Sequence, residues 1–163
     1  MKILLTGSSK GIGFSIAKTL INEGHEIALH YNKNKSSLDP LIKDSKTNSF
    51  TIQSDLSDLN QIKDLVNSTI DKLSFPDCII NNAGIAESAD ISIDFERWND
   101  LFDKTIDVNL KAPSLIFKEL IKYKRANKIK SRLRFINIAS RAAFRGEQED
   151  YISYACSKGG MIS

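Results

Sequence analysis

The chain has 163 residues, 41% of them apolar, and a formal net charge of +3 from 23 basic and 20 acidic side chains. That length suits one compact domain, residues 1–163, able to bury roughly 68–70% of its unfolded surface, so no disulfide or metal staple is required. The charges are interleaved, which argues against a nucleic-acid partner, and no apolar run is long enough for a secretory leader or approaches the ~20 residues of a membrane span.

In chain order, Ile3 to Leu5 form a strand-like run ended by Gly7. Ile12, Ile16, Ala17, Leu20 and Ile21 then recur at helical spacing as far as Gly24. Ile27 to Tyr31 reads as a second strand, followed by the polar, turn-rich stretch from Asn32 to Ser37, and Phe50 to Gln53 reads as a third strand ending at Asp55. Leu59, Ile62, Leu65, Val66, Ile70 and Leu73 mark an amphipathic helix. Cys78 to Ile80 is a strand running into Asn81-Asn82-Ala83-Gly84, a long helical stretch covers about Phe95 to Tyr123, and Arg134 to Ile138 is a further strand. Strands alternate with helices and are too apolar to have one wet face. The expected architecture is therefore α/β, a doubly wound parallel sheet of Rossmann type with helices on both faces. Cys78 and Cys156 stand in no metal-ligand spacing, so they read as free thiols of a cytoplasmic protein.

The segment Thr6-Gly7-Ser8-Ser9-Lys10-Gly11-Ile12-Gly13 lies between the first strand and the first helix. A dinucleotide pyrophosphate placed there would meet the free N–H groups of a helix start, and glycines let the backbone turn tightly and approach phosphate. An ordinary strand-to-helix turn is the alternative, since glycine triplets occur by chance; the position between first strand and first helix favours the cofactor turn. A nucleoside-triphosphate P-loop is excluded, because no Gly-Lys-Ser/Thr follows.

Gly-x-x-x-Gly-x-Gly after an N-terminal strand resembles the cofactor turn of the short-chain dehydrogenase/reductase family. Asp55-Leu56 resembles the family's adenine-contacting position, Asn82-Ala83-Gly84 its Asn-Ala-Gly motif, and Asn109 its catalytic asparagine. Ser140, with Tyr154-Ala155-Cys156-Ser157-Lys158, completes the ordered set. The resemblance implies nicotinamide binding through Gly7, Ser9, Lys10, Gly11, Ile12, Gly13, Asn32, Lys33, Asp55, Leu56, Asn82, Ala83 and Gly84, together with Tyr154 and Lys158. NADP(H) is favoured over NAD(H). A carboxylate at the end of the second strand would repel a 2′-phosphate, and Leu29-His30-Tyr31-Asn32-Lys33 contains none, while Lys10 adds a cation in the glycine turn.

Tyr154 and Lys158 are four apart, so on a helix they share a face, with Cβ atoms about 5–6 Å apart. An ammonium so placed stabilises a phenolate, which suits Tyr154 to proton transfer with a carbonyl or alcohol substrate. Ser140 would hydrogen-bond the same substrate oxygen. In the family the lysine also holds the nicotinamide ribose. Asn109 lies in a helical pattern with Pro113, which has no N–H for the carbonyl four residues back, so that carbonyl must find water or a side chain; the resemblance implies a water leading to the active-site lysine, and a simple kink or break is the alternative. Trp98, Leu101, Phe102, Ile106 and Leu110 read as a core or interface stripe, and His25 and His30 carry no expected chemistry.

The resemblance implies further strands and a substrate loop beyond residue 163. The expected fold is thus incomplete at its C-terminal edge, with the strand at Arg134 to Ile138 open along one side. Homo-oligomers are implied for full-length relatives, less so for this chain. The function expected is an NADPH-dependent oxidoreductase of a small carbonyl or alcohol, similar to the β-ketoacyl-carrier-protein reductase branch through Arg141 to Glu147; the alternative is a non-catalytic NADP-binding or regulatory fragment.

Overall fold

Short apolar segments spaced by amphipathic helices leave few ways to bury both faces of a sheet, and the computed structural model, which describes residues 1–163, adopts one of them. The strands are β1 (Lys2–Leu5), β2 (Glu26–Tyr31), β3 (Phe50–Gln53), β4 (Cys78–Asn81) and β5 (Arg134–Asn137). All pair in parallel, in the order β3-β2-β1-β4-β5. Leu4 lies opposite Ala28 and Ile79, and Leu5 opposite Leu29 and Ile80, so the three central strands are in step.

Because side chains alternate along a strand, each central strand feeds two cores. Leu4, Ala28, Ile52 and Ile79 pack beneath α3 (Leu59–Leu73) and α5 (Ala112–Ala126), using Ile62, Leu65, Val66, Ile116 and Leu120. On the opposite face Ile3, Leu5, Ile27, Leu29, Cys78 and Ile80 meet α1 (Gly11–Asn22) and α2 (Leu38–Lys43) through Ala17, Ile21 and Leu38. The two-faced cover expected of a Rossmann-type sheet is present. At the end of the sheet, β5 bonds to β4 alone and Ile136 is 45% exposed. No helix is long and apolar enough to cross a membrane.

The long helical stretch expected over about Phe95 to Tyr123 is present, running from Phe95 to Ala126, but its regular pairing is interrupted by a π turn. α4 (Phe95–Ile106) passes into a π turn over Asp107–Lys111, and α5 follows. Pro113, without an N–H, interrupts ordinary pairing. The π turn absorbs the interruption by pairing each carbonyl five residues ahead, as in the bond from Ala112 N–H to the Asp107 carbonyl. Trp98 and Phe102 stack at 5.3 Å but stay half-buried, on a helix whose partner is α7 (Ile152–Ile162). α7 also packs on α6 (Ala142–Arg145) and on the π turn.

Candidate active site

Between β1 and β4 the chain order of the sheet reverses, which in a doubly wound fold opens a crevice at the carboxyl ends of the strands. Thr6–Gly13 leaves β1 on one side of it and Asn82–Gly84 leaves β4 on the other. Four hydrogen bonds stitch these two loops together. The N–H groups of Asn82 and Ala83 both donate to Thr6 Oγ1 at 3.0 Å, and Asn82 Nδ2 donates to the carbonyls of Thr6 at 3.0 Å and Gly7 at 2.9 Å.

Each glycine of the turn answers a different constraint. Gly7 has φ +66°, and a Cβ there would stand 2.8 Å from the Ala83 Cα. Gly13 is buried where α1 crosses the turn, and its Cβ would be 2.1 Å from the Gly7 oxygen. Gly11, at φ +53°, faces open space within 4 Å, so its backbone can be approached from outside. α1 starts at Gly11 with no side-chain cap and no acidic residue in its first turn. An uncapped, twelve-residue helix start beside an accessible glycine backbone fits a phosphate group.

The loop after β2 closes on this turn, as Ser37 Oγ donates to the Ser9 carbonyl. Lys10, Asn32 and Lys33 are exposed on these two loops, and Ser9 and Ile12 complete the rim. After β3, Asp55 Oδ1 accepts from the N–H and hydroxyl of Ser57, at 2.9 and 2.8 Å. Those bonds hold the Asp55 carboxyl below its ordinary pKa. Asp58 caps α3, and Gln61 reaches back to accept the Asp55 N–H at 2.7 Å. Leu56 is buried in the core under α3, so a ligand at this loop meets Asp55 and backbone.

Lys158 and Tyr154 lie on one face of α7, with Lys158 Nζ 5.8 Å from the centroid of the Tyr154 ring. Lys158 is 4% exposed and donates to the Ile138 carbonyl at 2.9 Å; burial pushes its ammonium below the usual lysine range. A Cβ on Gly84 would come within 3.6 Å of Lys158 Nζ and 3.3 Å of Asn109 Oδ1, so the loop from β4 runs alongside both. Asn109, at the centre of the π turn, is fully buried. Its amide accepts from Ile85 N–H at 2.8 Å, donates to the Ile85 carbonyl at 2.8 Å, and bonds Ser157 Oγ at 3.0 Å. Ser157 Oγ in turn donates to the Tyr154 carbonyl. The Asn109 side chain is thus committed to joining the β4 loop to α7. Ser140, half-buried just past β5, accepts the Ala142 N–H on Oγ at 3.2 Å and leads into α6, which packs on α7.

His30, to which the sequence assigns no chemistry, is part of this site. Its ring accepts the Gly7 N–H at 3.0 Å. Strand periodicity makes it look like any interior residue of β2, and only the sheet register puts it behind the glycine turn.

The family model described as short chain dehydrogenase matches residues 1–163. The 3-oxoacyl-(acyl-carrier-protein) reductase FabG of Staphylococcus aureus is 32% identical over 112 residues, covering 66% of this chain and 44% of that protein. Two solved structures superpose over 98% of the chain. A 4-hydroxyisoleucine dehydrogenase complexed with NADH and succinate has a TM-score of 0.84 at 29% identity, and a blue fluorescent protein from a metagenomic library, in complex with NADPH, 0.81 at 27%. The chain spans 65% and 64% of those two chains, less than two thirds of either.

Proposed function

The chain belongs to the short-chain dehydrogenase family, and we propose that within it this protein is an NADP(H)-dependent oxidoreductase interconverting a small carbonyl compound and its alcohol. The observation that carries this reading is the pairing of Tyr154 with the buried Lys158 on one face of α7, alongside a β4 loop that is itself laced to the glycine turn.

When bound, the nicotinamide supplies or takes up the hydride. Gly7 to Gly13 and the start of α1 hold the pyrophosphate, Asp55 and the Leu56 backbone flank the adenine, and Asn82 to Gly84 line the path to α7. Lys10, Asn32 and Lys33 meet the 2′-phosphate, a preference supported by the lack of any carboxylate from Leu29 to Ser37. Tyr154 gives its phenolic proton to the carbonyl oxygen in reduction and takes it back in oxidation. Lys158 favours the phenolate left behind and contacts the ribose, while Ser140 donates to the same substrate oxygen. Asn109 acts through structure, fixing α7 against the β4 loop. A 3-oxoacyl thioester is the first substrate to try, given the Staphylococcus aureus relative. Buried Cys78 and exposed Cys156, both free, suit a reducing cytoplasm.

The test is NADPH oxidation with a panel of ketones, aldehydes and 3-oxoacyl thioesters, beside Tyr154→Phe. The variant should bind NADPH like the parent and turn over roughly 100-fold or more slowly. Binding without turnover by either protein would favour a nucleotide-binding or regulatory role; turnover unchanged in Tyr154→Phe would remove the mechanism.

A further inference from the structure

A peptide N–H can only donate and a peptide carbonyl can only accept, and the His30 ring sits between one of each. Gly7 N–H points at Nδ1 at 3.0 Å, and Nε2 lies 2.9 Å from the Ser54 carbonyl. Both contacts are satisfied only by the neutral ring with its proton on Nε2. The His30 carbonyl accepts two more bonds, from the N–H and the hydroxyl of Ser8, each at 2.9 Å. His30 is 2% exposed. One residue at the end of β2 therefore grips two consecutive residues of the glycine turn and the residue before Asp55, joining the loops that leave β1 and β3.

Resting on the dinucleotide reading above, we propose that His30 is a positioning residue for the nucleotide site, and that its proton occupancy sets cofactor affinity. With the ring neutral, Gly7 is held in its left-handed conformation against Ala83. A second proton on Nδ1 would face the Gly7 N–H, two donors opposed, and the turn must move away. Burial, the largest influence, keeps the ring below the ordinary histidine value of 6.5, and Asp55 is the charged side chain that favours the imidazolium. Gly7, Ser8 and Ser54, the residues bonded to His30, bring no titratable side chain.

The experiment compares NADPH affinity in the parent protein, His30→Asn and His30→Gln from neutral pH down through the pH at which NMR of the free, folded protein shows the His30 ring taking up its second proton. An asparagine amide reaches the place of Nδ1 and keeps an acceptor for Gly7; a glutamine amide reaches the place of Nε2 and keeps only the bond to Ser54. The parent should lose roughly three- to tenfold in affinity relative to His30→Asn on acidification, a ratio that cancels ionisation of the 2′-phosphate. His30→Gln should be weaker by a similar factor at every pH. Parallel profiles for parent and His30→Asn, or parent-like binding by His30→Gln, overturn the proposal. A second readout needs no cofactor: ring-nitrogen NMR shifts of the free protein should report the neutral Nε2–H form at neutral pH, with the Gly7 amide signal moving as the ring titrates. A charged ring or the other tautomer overturns the clamp itself. A clamp intact by NMR with no NADPH binding at any pH sinks the dinucleotide reading, and the control of affinity with it, while leaving the histidine geometry standing.

Discussion

Gly13→Ala asks whether the glycine turn is held by contact or by conformation. The added methyl would lie 2.1 Å from the Gly7 oxygen and 2.4 Å from Asn82 Nδ2. Comfortable carbon contacts begin near 3.5 Å, so the turn must open by about an ångström or more. Neither neighbour can swing aside alone, because the amide and the carbonyl are bonded to each other at 2.9 Å. Loss of one or two hydrogen bonds and the overpacking together cost about 2–4 kcal/mol, a large share of a total stability of about 5–15 kcal/mol. Thermal unfolding followed by circular dichroism should show Tm lower by roughly 4–16 °C. Gly11→Ala is the comparison, since its Cβ meets nothing within 4 Å and the penalty is that of φ +53° alone, about 1–2 kcal/mol. The two also differ in coupling: Asn82→Ala should be non-additive with Gly13→Ala and additive with Gly11→Ala. A Gly13→Ala protein as stable as the Gly11→Ala protein, or additive with Asn82→Ala, would refute the argument.

Lys158→Met should abolish turnover yet raise stability at neutral pH by about 0.5–2 kcal/mol, because a buried ammonium with a single carbonyl partner is replaced by an apolar chain. The sign follows from linkage. With the folded pKa below 10.5, the unfolded chain binds more protons in the alkaline range, so the parent gains stability as pH rises toward 10.5 and the gap to Lys158→Met narrows. Denaturant titrations at neutral and alkaline pH check this, and a variant less stable than the parent at neutral pH contradicts it. Lys10→Ala combined with Lys33→Ala should weaken NADPH by roughly tenfold or more while changing NADH little; equal losses in fluorescence titrations would overturn the 2′-phosphate assignment.

Much of this architecture is legible in the chain because local and tertiary demands coincide. Ile3, Leu5, Ile27 and Leu29 are apolar at alternate positions and feed one core, and the glycines at 7, 11 and 13 mark a turn that tolerates little else. Tyr154 and Lys158 announce their shared face by spacing alone. Other features leave no local mark. A π turn has no composition of its own, so the helical stretch from about Phe95 to Tyr123 reads as regular, with Pro113 as the sole hint of altered pairing. α2 hides behind a polar, turn-rich approach and carries Pro40 in its first turn. Leu56 reads with its neighbour as a ligand contact but is drawn into the core by α3. His30 gains its role from parallel pairing with a strand more than twenty residues away.

The π turn has a consequence for how the chain tolerates length changes. It acts as one residue too many for a straight α-helix, so α5 is rotated by about 100° against the path α4 would have followed. Excising any single residue between Asp107 and Lys111 would scarcely alter composition or helix propensity. It would nonetheless swing the Asn109 amide around the axis, away from Ile85 and Ser157, and uncouple the β4 loop from the helix bearing Tyr154. Here an insertion count, more than the identity of any side chain, aims the amide.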